Sequence, residues 1–173
     1  HLDPARSYSS SEAQFTAQIY EPPLQYHYLK RPYMLIPLAA NRLPVVKYFN
    51  AEDIHIDGDD IETQDIAYSI YEISIKPGIQ YQPHPAFSRK TNGEFEYHGL
   101  NDDELTAITM LSDFKNTDTR ELVAADYVYQ IKRLAHPEIH SPILSLMAEH
   151  IVGLTEFSQQ LQQLKQAGQP IDL

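Results

Sequence analysis

His136 and His140 stand four residues apart, a spacing at which two imidazoles on one helical face can bind zinc. A zinc protease also needs a Glu, its general base, directly after the first His on an unbroken helix. Here Pro137 follows instead and breaks the helix at that point. With His84 and His98 these residues are the raw material of a His-based metal-dependent enzyme, the alternative that metal analysis would discriminate. Asp53, His55, Asp57 and Gly58 have the spacing that opens a calcium loop. The acid required at its twelfth position is replaced by Gln64, and imidazole is a poor ligand for a hard cation, so the stretch reads as a solvated turn. Asp57-Gly58 suits a tight turn. No Gly-x-Ser-x-Gly elbow occurs, the six Gly form no phosphate loop, and Cys is absent, which removes thiolate nucleophiles and Cys zinc sites. Nothing in the spacing places an acid, a base and a charge-stabilising group together. The expectation is a protein that is not an enzyme, with no catalytic residues, metal or cofactor.

Composition narrows the partners. The 24 Asp and Glu against 13 Lys and Arg give a net charge of -11, the wrong sign for a nucleic-acid backbone. No apolar run approaches the roughly 18 residues of a membrane span. The chain opens on His1 without a secretory signal, as it would if a signal had been removed. Tyr is common, with 12 residues, and Trp is missing; at strand positions such rings mostly pack.

The elements that would position a site centre on residues 66–81. Ile66, Tyr68, Ile70, Tyr71, Ile73 and Ile75 put β-branched and aromatic groups on both sides of a strand, as in one covered on both faces. Pro77-Gly78 then turns the chain and Ile79 and Tyr81 resume an extended segment. Residues 122–135 follow a helical period, with Tyr127, Val128, Ile131 and Leu134 on one stripe that should cover the sheet. Upstream, Ser9 and Glu12 have capping-box spacing for a helix over 9–20, which Pro22-Pro23 ends. Leu24, Tyr26 and Tyr28 alternate as a short strand, and 33–50 holds short strands or packed loop broken by Pro37 and Pro44. Within 82–121, residues 91–93 form a turn, Phe95 and Tyr97 suit a short strand, and Asn101 or Asp102 caps a helix through Phe114. Ser141-Pro142 opens a helix to Val152, stopped by Gly153. A last helix starts at Thr155, carries a narrow Phe157, Leu161, Leu164 stripe, and is expected on the surface.

Three blocks, in order, carry a resemblance: YEPPLQY at 20–26, LAANRLP at 38–44, and the strand-turn-strand of 71–81 with the helix of 124–134. The opening LDPARSYSSSEAQ fits as well. Together they resemble the first lobe of extracellular solute-binding proteins of family 5, the oligopeptide- and dipeptide-binding receptors of ABC importers. The resemblance covers most of residues 2–135. It implies an α+β fold, a mixed β-sheet with packed helices, as a partial lobe of the type II periplasmic-binding-protein fold. It implies one domain over 1–173, the N-terminal part of the first lobe, and marks 82–121 as an insertion atypical of the family. Family members have two lobes and several hundred residues, so the resemblance makes this chain a fragment with an incomplete binding site. The implied function is non-covalent capture of a peptide-like solute for an ABC importer permease. A sensor or adaptor that keeps the fold and transports nothing is the other alternative. The implied location is periplasmic or extracellular, with a lipid anchor an option for the full-length protein. Tyr20, Glu21 and Tyr26 would lie near the ligand, although Glu21 also suits a cap or a pairing with a nearby Arg. The bare apolar surfaces of a fragment would favour a two-fold homodimer.

Overall fold

Ser9 accepts the backbone N–H of Glu12 while the Glu12 carboxylate takes the N–H of Ser9, and this reciprocal cap starts α1 (Ser10–Ile19). Tyr20 closes the helix in extended conformation, with its N–H on the Thr16 carbonyl at 2.9 Å. Two prolines then lead into β1 (Leu24–Tyr26), which pairs antiparallel with β2 (Leu35–Pro37) in the register Leu24 to Pro37 and Tyr26 to Leu35. A second antiparallel sheet has the order β4-β3-β5, from β3 (Val45–Phe49), β4 (His55–Ile56) and β5 (Tyr68–Glu72). The computed structural model describes residues 1–58 and 61–173. Within them the fold is α+β, and the strands form two small antiparallel sheets in place of one mixed sheet.

The backbone gathers into two units. The first comprises 1–75 and 124–173 and contains both sheets, α1, α3 (Ala124–Leu134), α4 (Leu144–Ala148) and α5 (Leu154–Gln166). Its core is helical: Ala135, Leu154 and Leu161 are buried together, with Leu144, Met147, Ile151, Phe157 and Leu164 packed around them. Gly153, at φ 83, provides the left-handed residue that ends the preceding turn and launches α5. The last helix was expected on the surface and is instead the one with the most buried apolar positions, because Leu154, Phe157, Leu161 and Leu164 lie along one stripe facing α4 and Ala135. The helix expected over 142–152 is shorter, reduced to α4, and its cap position is Ile143 in place of Ser141.

The organising strand is also differently placed. β3 sits centrally and β5 on the edge, and Ile70 and Tyr71, adjacent and therefore on opposite faces, are both exposed where a strand covered on both faces was expected. Ile75 continues toward Ala40 as an isolated bridge. On α3 the buried side runs through Tyr127, Gln130, Arg133 and Leu134, and Val128 and Ile131 of the expected stripe face solvent. Tyr127 and Arg133 find polar partners on that side, described below.

The second unit, 76–123, has little buried apolar surface: Pro85 and Ser88 are its buried residues. Aromatic and charged contacts hold it. Ser88 donates to the Glu96 carboxylate at 2.6 Å, Asn116 Nδ2 donates to the same group at 2.8 Å, and the Tyr97 hydroxyl accepts the Asn116 N–H at 3.0 Å. The Arg120 guanidinium lies 4.8 Å from the Tyr81 ring and 5.5 Å from that of Phe87, and Arg89 lies 4.0 Å from the Phe95 ring. Asn101 caps α2 (Asp102–Thr106), which stops eight residues short of Phe114. The reason is local. The Asp113 carboxylate takes the N–H groups of Thr109 at 2.8 Å and Met110 at 3.0 Å, which a continuing helix would have sent to carbonyls one turn back. Phe95 makes only an isolated bridge to Arg89, so the expected 95–97 strand is a turn-like segment.

Candidate functional site

Tyr20 and Glu21 lie on the short linker between α1 and β1, and that linker is fastened at both ends. The Tyr127 hydroxyl on α3 donates to the Glu21 carbonyl at 2.9 Å, across 106 positions of sequence. Pro22 and Pro23 lack N–H groups, but their carbonyls accept: Pro23 takes the N–H of Leu38 and of Ala40, each at 2.9 Å, and Pro22 that of Ala39 at 3.3 Å. Ala39 and Ala40 are fully buried there, which only a small side chain permits so close to another backbone segment. Glu21 thus contributes its backbone to α3.

Below that tie, Arg133 makes a forked pair with Asp3, its Nη1 donating to Oδ1 at 3.0 Å and its Nη2 to Oδ2 at 2.6 Å; Nη1 also donates to Gln130 Oε1 at 3.1 Å. The Arg133 hydrogen bonds hold the Asp3 carboxyl below its usual range, and desolvation opposes them only in part. The same bonds raise Arg133, and desolvation opposes them. A small open cavity of about 220 Å³ lies beside this pair, lined by Tyr129, Arg133, His136, Ile139, Ile171 and Asp172.

Tyr26 is on β1, half or more exposed, and its ring meets that of Tyr33 edge-on at 5.8 Å. The structure ties the Glu21 backbone to α3, while Tyr20 caps the end of α1 and Tyr26 belongs to the hairpin of β1 and β2. Arg133 and Asp3 were not singled out in the sequence, and Tyr127 only as one member of a packing stripe. Their one signal is that Gln130 and Arg133, both polar, share a helical face with Leu134.

The histidines are engaged separately. His84 Nδ1 accepts the Ala86 N–H at 3.1 Å, His98 stacks on Phe95 at 4.4 Å, His136 Nδ1 accepts the Glu138 N–H at 3.3 Å, and His140 takes a left-handed backbone at φ 53. In the acidic turn, Asp53 accepts the Tyr68 hydroxyl at 3.2 Å while Asp57 pairs with His55 at 3.2 Å, so these carboxylates turn to different partners. Among the described residues no three His, Asp or Glu side chains converge as a metal-holding group. No helix among them is long and apolar enough to cross a membrane.

Such a site can hold a ligand by phenol hydroxyls, ring faces and the remaining guanidinium donors. No protein-family model, no curated protein and no solved structure matches the chain.

Proposed function

We propose that the chain forms one wall of a solute-binding cleft, part of the first lobe of a type II periplasmic-binding fold, and that it captures peptide-like solutes for an ABC importer. The observation that carries this reading is the hydrogen bond from Tyr127 to the Glu21 carbonyl. It joins the two sequence blocks, 20–26 and 124–134, whose order and composition resemble the receptor family. In this reading Tyr20, Glu21 and Tyr26 line the wall, with backbone groups and phenols as partners for a peptide. Exposed aromatic positions agree with a surface that works against something else: Tyr20 is 47% exposed and Tyr26 65%. One wall leaves a ligand mostly solvated, so affinity is low.

The test is a titration of short mixed peptides into isotope-labelled protein, followed by NMR. Shifts should centre on Tyr20, Glu21 and Tyr26, with a dissociation constant no tighter than about 1 mM, or roughly -4 kcal/mol. Shifts confined to other residues, no shifts at saturating peptide, or a micromolar complex would each contradict the reading.

A further inference from the structure

The charge of this acidic chain is unevenly spread: residues 22–51 contain Lys30, Arg31, Arg42 and Lys47 and not one Asp or Glu. Within that stretch the connection between β1 and β2 presents the most exposed large apolar side chains of the first unit's sheets, Tyr28 at 88% and Leu29 at 76%. Lys30 and Arg31 follow directly, and neither pairs with a carboxylate among the described residues. The loop is fixed by its own bonds. Leu29 and Lys30 donate their N–H groups to His27 Nδ1 at 3.2 and 3.3 Å, and Arg31 Nη1 donates to the Lys30 carbonyl at 2.9 Å. Arg31 also lies 4.6 Å from the Tyr33 ring.

We infer that this hairpin loop docks on the headgroup interface of an anionic lipid bilayer, with Tyr28 and Leu29 entering the interface and Lys30 and Arg31 meeting lipid phosphates. Side chains this exposed touch almost nothing of their own protein and line no groove, so a peptide partner finds no shaped pocket there. A bilayer interface needs none: it takes Tyr and Leu into its boundary layer while neighbouring cations stay at headgroup level. The net charge of -11 does not cancel the local attraction, because charges farther away than about 8 Å are largely screened at physiological salt. An internally bonded loop also loses little freedom on docking. This inference is independent of peptide capture and stands or falls without it.

The experiment is co-sedimentation of the 173-residue protein with vesicles of phosphatidylcholine alone or with phosphatidylglycerol added. Binding should appear with phosphatidylglycerol and weaken as salt rises. Lys30→Gln with Arg31→Gln should weaken it by roughly 30-fold, and Tyr28→Ser with Leu29→Ser by at least about tenfold, with unchanged melting curves. Absence of vesicle binding overturns the inference, as does equal binding to neutral and anionic vesicles. It is equally overturned if the loop variants bind as the parent does. Self-association lost in the same variants, without vesicle binding, would name a second copy as the occupant and overturn it too.

Discussion

The two units of this chain are held together by different physics. In 1–75 and 124–173 the cohesive element is a helical cluster in which Leu154 and Leu161 lose nearly all contact with water. In 76–123 no comparable cluster exists, and carboxylates take its place: Glu96 gathers Ser88 and Asn116, and Asp113 gathers Thr109 and Met110. Apolar burial is indifferent to proton concentration and scales with area. A carboxylate network holds only while its acids are ionised. Two segments of one chain should therefore fail under different conditions.

The largest effect is expected in the apolar cluster. Leu161→Ala removes a buried side chain and leaves a cavity, and urea unfolding should show a loss of about 2–5 kcal/mol. Amide protection over 88–97 should survive the change. If that segment loses protection equally, the contrast between the units is void.

The Asp3–Arg133 pair is the polar fastening of the first unit, with both side chains about a quarter exposed. Asp3→Asn keeps the shape and removes the charge, and should cost about 1.5–3 kcal/mol, the scale of a hydrogen bond to a charged group. Because Arg133 lowers the folded-state pKa of Asp3, this contribution is present above the unfolded value of 3.8 and is lost as pH falls through the folded one. In Asp3→Asn that part of the acid dependence should vanish from the unfolding profile.

Much of the local structure was legible because local chemistry fixes it. The Ser9–Glu12 cap, the stop at Pro22-Pro23, the existence of strands at 24–26 and 68–72 and the helix of 124–134 all follow from neighbours within a turn or two, although Tyr28 falls past the end of β1. Failures came where a distant or competing partner decided. The helical period of 124–134 marked Tyr127, Val128, Ile131 and Leu134 as one packing stripe; Tyr127 and Leu134 do lie on the covered side, but Arg133, paired with Asp3 130 positions away, joins them there and Val128 and Ile131 are exposed. The helix through Phe114 was cut short by a carboxylate competing for its N–H groups. The final helix looked marginal because its stripe is narrow; a narrow stripe suffices when Ala135 and α4 meet it. Of the site, Tyr20, Glu21 and Tyr26 came from resemblance, and the Tyr127 bond that fastens the Glu21 carbonyl has no local signature.

The smallest expected effect follows from the exposed side of α3. Ile131 is 38% exposed and Val128 52%, so Ile131→Ala should change stability by no more than about 0.5 kcal/mol, as surface substitutions usually do. A thermal melt lowered by an amount comparable to that of Leu161→Ala would place Ile131 in a core.

The most direct measurement of the contrast is hydrogen exchange followed residue by residue from about pH 7 to about pH 3, corrected for intrinsic exchange rates. Hydrogen bonds from Ser88 first, and from Asn116, hold Glu96 below its ordinary 4.5, and the Thr109 and Met110 N–H groups hold Asp113 below 3.8. Folded values lower than unfolded ones mean stability that is full above those pKa values and drains away as pH falls through the folded ones. Protection over 88–97 and 109–116 should therefore fall in acid while amides of α5 around Leu161 remain protected. Glu96→Gln should loosen 88–97 at neutral pH and leave α5 unchanged. In Asp3→Asn, which lacks the first unit's own acid-sensitive pair, loss of protection in both regions at one common pH would contradict the account.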